Sequence, residues 1–327
     1  MGDSVLRLDR LLSSEAQVIH RTRRRLFEKR IVTLGERTHV LYRLPLPWQA
    51  RRLAHLLREA QARGVAMQRV ECVAARWLDL ARYGGCWLVA GYEAGETLKI
   101  ARFDDALVDS LAASLARLHS ISARGHGPLL RLGARVRSLM NAVEGDVHLA
   151  LAQCEALAPQ EQEAMRTWLG GRGERVWCRE GFDLTHGDLL AKNILIRADG
   201  AGVCLIDYEL AAFDRAGFEV AAALIRFFHG RNTRYRARFL ERYLAECSAT
   251  VREDWQAHAP YFLVAAALRM ARSRERRRHA LSSRGEQEAA GVQARRFDAY
   301  VKTAFSLMQA FEQGATDPEA MLAAGGR

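Results

Sequence analysis

Four residues just past the middle of the chain carry side chains that a plain connecting loop does not need: His186, Asp188, Asn193 and Asp207. Asn193 follows Asp188 by five residues, and Asp207 follows Asn193 by fourteen. This set suits phosphoryl transfer from ATP. One carboxylate must accept or orient the proton of an acceptor hydroxyl, while a second carboxylate and a neutral amide oxygen hold Mg2+ against the phosphates. Asp188 is the candidate base, and Asn193 and Asp207 are the candidate metal ligands. His186 reads as a structural hydrogen-bonding residue rather than a proton shuttle. Each residue alone has an ordinary use, as a turn cap, an αL residue or a strand end. Their joint occurrence points to a site.

The elements around these residues must bring them together. The run "ILIRADGAGVCLI" reads as a β-hairpin turning at "ADGAG", which would return Asp207 to Asn193. Upstream, "RRRLFEKRIVTL", "GER" and "THVLYRLPL" read as a second hairpin, ended by Pro45 and Pro47. A helix follows, "WQARRLAHLLREAQARG", with Leu53, Leu56, Leu57 and Ala60 on one face and Gly64 as its stop. Further strands are expected at 68–74 and in "GCWLVAGYE". Beyond "EAGETL" the character changes to helix. "DDALVDSLAASLARLHSI" is amphipathic, helical sequence resumes over 135–169, and "LGGRGERV" reads as a connection. A small β-rich lobe over residues 1–94 thus precedes a larger, mainly helical lobe over 95–327, an α+β organisation.

Composition excludes several classes. With 327 residues, 49% hydrophobic and 27% charged, the chain is globular and long enough for a sizeable core. No apolar run approaches a membrane span, and the first residues carry no secretory pattern, so a cytoplasmic location is expected. The six cysteines are scattered without a C-x-x-C pair and read as buried free thiols. The net charge of +11 owes much to "RTRRRLFEKR" and to "RMARSRERRRHA", which begins at Arg269. Such runs suit an anionic acceptor or a peripheral contact with an anionic membrane surface, or are simply solvated helix faces. No nucleic-acid-binding motif accompanies them, so no nucleic-acid partner is expected.

"THGDLLAKNILI" and "LIDYELAAFDRAGFEVAA" resemble the aminoglycoside phosphotransferase and choline/ethanolamine kinase superfamily, relatives of the protein kinases. The resemblance is strong over 185–222 and extends to "WLVAGYEAGETL" and "LAASLARLHSI". It implies a protein-kinase-like two-lobe fold, ATP and Mg2+ as cofactors, and transfer of the γ-phosphate to a hydroxyl of a small molecule. Under it, Asp188 is catalytic, Asn193 and Asp207 bind metal, and Gly91 and Tyr92 lie at the nucleotide-binding hinge. His186 and Glu209 support the site. Arg43 falls where the superfamily puts the phosphate-binding cation of the third strand, with Lys29 as the competitor. The only helix acid available to pair with that cation is Glu59, in the last turn.

Three departures bear on the acceptor and the nucleotide. The hairpin before "FEKR" carries no glycine, Glu59 sits late in its helix, and Leu210 stands where choline kinases carry an aromatic. A quaternary ammonium wants an aromatic cage, so choline is not favoured. A lipopolysaccharide-core or sugar kinase, a protein kinase, and a pseudokinase that only binds remain the alternative readings.

Overall fold

The structure, a computed structural model, describes residues 8–24, 27–130, 136–200 and 202–325. The chain divides into two compact units. Unit 1 comprises Met1–Ile121, Pro128–Leu132 and His186–Ala212, and unit 2 comprises Ser122–Gly127, Gly133–Thr185 and Phe213–Arg327. This division differs from a cut at residue 94. Strand pairing draws the segment around Asp188 and Asp207 back to the N-terminal sheet-bearing unit, which a linear cut cannot express. The fold class is the expected one: α+β, with a small antiparallel sheet in the N-terminal lobe and a larger helical C-terminal lobe.

Unit 1 is built on five antiparallel strands, β1 (Gln17–Arg24), β2 (Phe27–Leu34), β3 (Arg37–Leu44), β4 (Val70–Ala74) and β5 (Cys86–Gly91), in the order β1-β2-β3-β5-β4. Gly35, at φ +61°, supplies the turn between β2 and β3, where a left-handed backbone is needed. Because side chains alternate along a strand, the sheet has two distinct faces. One face presents Val32, Leu41, Trp87 and Val89, and these are covered by Leu8 and Leu11 from the helical turn at 8–12. The other face carries Lys29 opposite Tyr42, with Val40 and Leu44 buried beside them. Helix α1 (Pro47–Ala62) packs against β3, β4 and β5 through the expected face, Leu53, Leu56, Leu57 and Ala60. A short helix, α2 (Trp77–Tyr83), was not expected from periodicity, since seven residues give little pattern to read.

Strand β6 (Gly95–Thr97) leads towards helix α3 (Asp105–His119), whose first turn is capped by Asp104 accepting from the Leu107 N–H at 2.8 Å. The short strands β7 (Ser122–Ala123), β8 (Gly127–Pro128) and β9 (Phe182–Thr185) come next in the chain. Then β10 (Ile194–Arg197) and β11 (Val203–Leu205) form the expected hairpin, and β12 (Ala212–Asp214) follows. β10 also pairs with β6, so the hairpin is anchored in unit 1. The pairing is close: a Cβ on Gly95 would overlap the Ile196 carbonyl, which makes glycine necessary there.

Unit 2 is helical: α4 (Val136–Ala152), α5 (Pro159–Trp177), α6 (Ala216–Phe227), α7 (Arg236–Glu246), α8 (Ala249–Ser282), α9 (Gln287–Glu312) and α10 (Pro318–Gly325). The long α8 is central and packs against α4, α6 and α9. Gly217 allows α6 to approach α8, since a Cβ there would enter the Phe262 ring. The expected connection "LGGRGERV" is instead the last turns of α5. Its glycines suggest a loop by propensity, but burial of Met165, Trp168, Leu169, Val176 and Trp177 holds the segment helical.

The second arginine run is a helix face engaged within its own unit. Arg269 reaches Asp214 at 3.3 Å, Arg276 reaches Asp146 at 3.2 Å and Arg278 reaches Glu275 at 2.5 Å. Arg272 donates to Gln153 at 2.8 Å. Four of the six arginines in the run are thus engaged without an anionic ligand. Part of the first run, around residues 25 and 26, lies outside the described residues. All six cysteines are free thiols, and all but Cys178 are buried. Among the described residues, no helix is long and apolar enough to cross a membrane.

Candidate active site

The residues singled out by type converge inside unit 1. Their convergence follows from the β10–β11 ladder, in which Ile194 faces Leu205 and the Ile206 N–H donates to the Asn193 carbonyl at 3.0 Å. Asn193 therefore ends one strand beside the exit of the other, where Asp207 stands. The Asn193 amide nitrogen donates to the Asp188 backbone carbonyl at 2.8 Å and to its carboxylate at 3.0 Å. With its donor end committed, the amide presents its oxygen as the end suited to a cation.

Asp207 is the one non-glycine residue with positive φ among those described, at φ 66° and ψ 58°. Aspartate tolerates this left-handed conformation better than most residues, at a cost of roughly 1–2 kcal/mol. The conformation ends β11 abruptly and starts the short turn Tyr208–Leu210, so the carboxylate points away from the strand's own course. It meets the Lys29 ammonium in a direct ion pair.

His186 is fully buried and braces these parts. Its Nε2 lies 2.7 Å from the Ile206 carbonyl, and the Asp188 N–H approaches its Nδ1 at 3.4 Å. The carbonyl can only accept and the amide can only donate. These two contacts suit a ring that donates from Nε2 and accepts at Nδ1. It also packs against Tyr208 with centroids 4.7 Å apart. One imidazole therefore ties the Asp188 loop to the Asp207 strand.

Gly187, between His186 and Asp188, has φ +78°, and a Cβ there would overlap the backbone carbonyl of Leu210. The "HGD" glycine is thus required twice, by conformation and by the backbone passing beside it. Glu209 is half-buried within the same turn as Tyr208.

Other expected site residues lie elsewhere. Arg43 is on the Leu41 face of the sheet, where its guanidinium binds the Gly84 carbonyl and lies 3.5 Å from Glu28. Lys29, on the opposite face, is the cation that lies beside Asp207. Glu59 pairs with Arg63 at 3.2 Å and approaches His55 at 4.0 Å. Glu59 and Arg43 are thus each committed to other partners. Gly91 and Tyr92 end β5, and their N–H groups donate to the Arg69 and Thr38 carbonyls at 2.8 and 3.3 Å. Those two donors are spent within unit 1 rather than offered to a base.

One residue not singled out by type lies opposite Lys29, and a second is bonded to that residue. Tyr42, the cross-strand partner of Lys29, is buried and donates to the buried Gln68 side chain at 2.5 Å. Burial first, and then the carboxylates of Asp207 and Glu209, push its phenol well above the ordinary range. The signal for Tyr42 was alternation along "HVLYRLPL"; nothing local marked Gln68.

In unit 2, a buried ionic network surrounds the "FDRAGFE" segment. Arg179 bridges Asp183 at 2.5 Å and Asp254 at 2.8 Å. The fully buried Arg215 donates to the Gly181 and Arg179 carbonyls at 2.8 and 2.5 Å. Burial raises the Asp254 carboxyl, against the pull of Arg179 and Arg215. Arg179 and Asp183 are four residues apart, but Asp254 and Arg215 are too distant in sequence for spacing to reveal them.

The donor set can be tested against a metal. Among the described residues no group of three or more His, Cys, Asp or Glu side chains could hold one. Asn193 and Asp207 offer hard oxygen donors, which fit Mg2+ when phosphate oxygens and water complete its shell. The pair suits a metal that arrives with a nucleotide.

Residues 13–261 match the model of the phosphotransferase enzyme family, APH, and the chain belongs to that family. Its α+β fold is shared with solved structures of phosphotransferases. Over 111 residues it is 30% identical to ethanolamine kinase 2 of Mus musculus, a match covering 34% of this chain and 28% of that protein. A putative aminoglycoside phosphotransferase of Ralstonia eutropha shares the fold at a TM-score of 0.57, with 13% identity, 92% of this chain and 98% of that chain covered. The aminoglycoside phosphotransferase APH(4)-Ia, solved with ADP and hygromycin B, does so at 0.56 with 15% identity and the same coverage.

Proposed function

We propose that the protein transfers the γ-phosphate of ATP to a hydroxyl of a small, amine-bearing molecule. The observation that carries this reading is the bonded set of Asp188, Asn193 and Asp207 in one unit, locked by His186. Asp188 is the base: its carboxylate accepts or orients the proton of the attacking hydroxyl. Asn193 and Asp207 would hold Mg2+, which when bound draws charge from the phosphate oxygens. Gly187 lets the loop run beside Leu210, so that Asp188 keeps its place against Asn193. Nucleotide work falls to the N-terminal part of the chain and acceptor binding to the helical part.

The acceptor class is supported by the company the chain keeps. One relative is named for ethanolamine and a structural neighbour was solved with hygromycin B. Choline itself is less favoured, because Leu210, half-exposed, offers no aromatic face. An anionic acceptor is less favoured, since four of the six arginines of the α8 run already have partners. The test is a screen of amino alcohols, aminoglycosides, sugars and nucleosides for ATP- and Mg2+-dependent phosphorylation. Phosphorylation of none of the amine-bearing hydroxyl compounds, with turnover of another class, would refute the acceptor assignment.

A further inference from the structure

We propose that Lys29, on the second strand, is the cation that binds the nucleotide phosphates, and that no helix glutamate takes part. The proposal rests on the phosphotransfer reading above and concerns how that site holds its nucleotide.

On the sheet face that carries Lys29, the third strand presents Tyr42, a neutral side chain already bonded to Gln68 at 2.5 Å. Its neighbour Arg43 points to the other face and is occupied by Gly84 and Glu28. On this face the third strand therefore has no cation to offer. The need is met one strand away. Lys29 faces Tyr42 across the ladder, is mostly buried, and its ammonium lies against Asp207. An ammonium beside a metal-binding carboxylate sits where phosphate oxygens must arrive, and a charge-assisted contact there is strong.

The composition sharpens the assignment. The chain holds 49 basic residues but only four lysines: Lys29, Lys99, Lys192 and Lys302. Lys29 is the only one within the five-stranded sheet. A lysine ammonium is a compact point charge on a flexible stem, able to reach from Asp207 to a phosphate.

The missing glutamate follows from the same geometry. Glu59 is bonded to Arg63 and lies near His55 on its own helix. Lys29 is oriented by Asp207 and flanked by Tyr42, so it needs no acid from α1.

The test uses Mg·ATP alone, by equilibrium binding and by steady-state hydrolysis, with the full chain. Lys29→Met should lower kcat/KM for ATP about 10- to 100-fold, the range for losing a charge-assisted hydrogen bond. Glu59→Gln should stay within about threefold of the unmodified chain. Amine-reactive labelling of the unmodified chain gives an independent reading that needs no variant to fold. Mg·ATP should protect Lys29 several-fold and leave Lys302 unprotected. If Lys29→Met stays within threefold, if Glu59→Gln falls as far as Lys29→Met, or if Lys29 labels equally with and without Mg·ATP, the proposal is overturned. Should Asp207→Ala abolish Mg·ATP binding in that case, the phosphotransfer reading still stands. If the unmodified chain binds no Mg·ATP, both fall together.

Discussion

Gly187→Ala adds one carbon at the most crowded backbone position of the candidate site. Two costs arise. Alanine in the left-handed region, at φ +78°, costs roughly 1–2 kcal/mol. The new Cβ would also overlap the Leu210 carbonyl, and relieving such an overlap costs about 1–3 kcal/mol. Together they give a destabilisation of about 2–5 kcal/mol if the backbone stays in place. If it yields instead, the Asp188 loop must move from the turn that follows Asp207, and His186 must stretch its bond to Ile206. A displacement near 1 Å can cost about 100-fold in rate. The assay is thermal unfolding combined with steady-state transfer to whichever acceptor the screen identifies. A lowered melting temperature, a kcat loss of at least tenfold, or both, is expected. Unchanged melting with unchanged kcat would refute the argument that Leu210 sets the backbone path at "HGD".

Asp188→Asn should lower kcat by roughly two to four decades with the Michaelis constant for ATP almost unchanged, since the carboxylate acts on the acceptor proton; parallel kinetics in ATP and acceptor check this. Asp207→Ala should remove the Mg2+ dependence of ATP binding, because one of the two oxygen donors is lost; calorimetric titration with and without Mg2+ decides. Gly170→Ala and Gly171→Ala should each stabilise the chain by about 0.5–1 kcal/mol, since both lie exposed in helix α5 with no neighbouring atom within 4 Å of an added Cβ. A loss of stability in either would show that the segment is not helical in solution.

The convergence of Asp188, Asn193 and Asp207 was legible because it depends on a short hairpin, whose register local sequence can specify. The cation was not. Alternation correctly puts Arg43 with Leu41 and against Tyr42, but it says only which residues share a face. Which face meets Asp207 is decided by Leu8 and Leu11, which cover the Leu41 side. Nothing in "HVLYRLPL" reports their presence. The α5 segment failed for the opposite reason. Its glycines gave a strong local signal, which the burial of Trp168, Leu169, Val176 and Trp177 overrode. The arginines of α8 were legible as a helix face, while Asp146 and Asp214, supplied from far along the chain, were not.

Unit 1 is discontinuous in sequence, and this bears on how the chain folds as it is made. Its third segment, His186–Ala212, is synthesised only after all of α4 and α5, which belong to the other unit. Strand β6 must wait for β10, about a hundred residues later, before its ladder can close. Such long-range closure slows folding. The growing chain thus carries an unfinished unit while roughly sixty percent of its length emerges at some 5–20 residues per second. A ribosome-stalled chain ending before residue 186 should therefore be protease-sensitive at β6, and one long enough to expose residue 212 should be protected there.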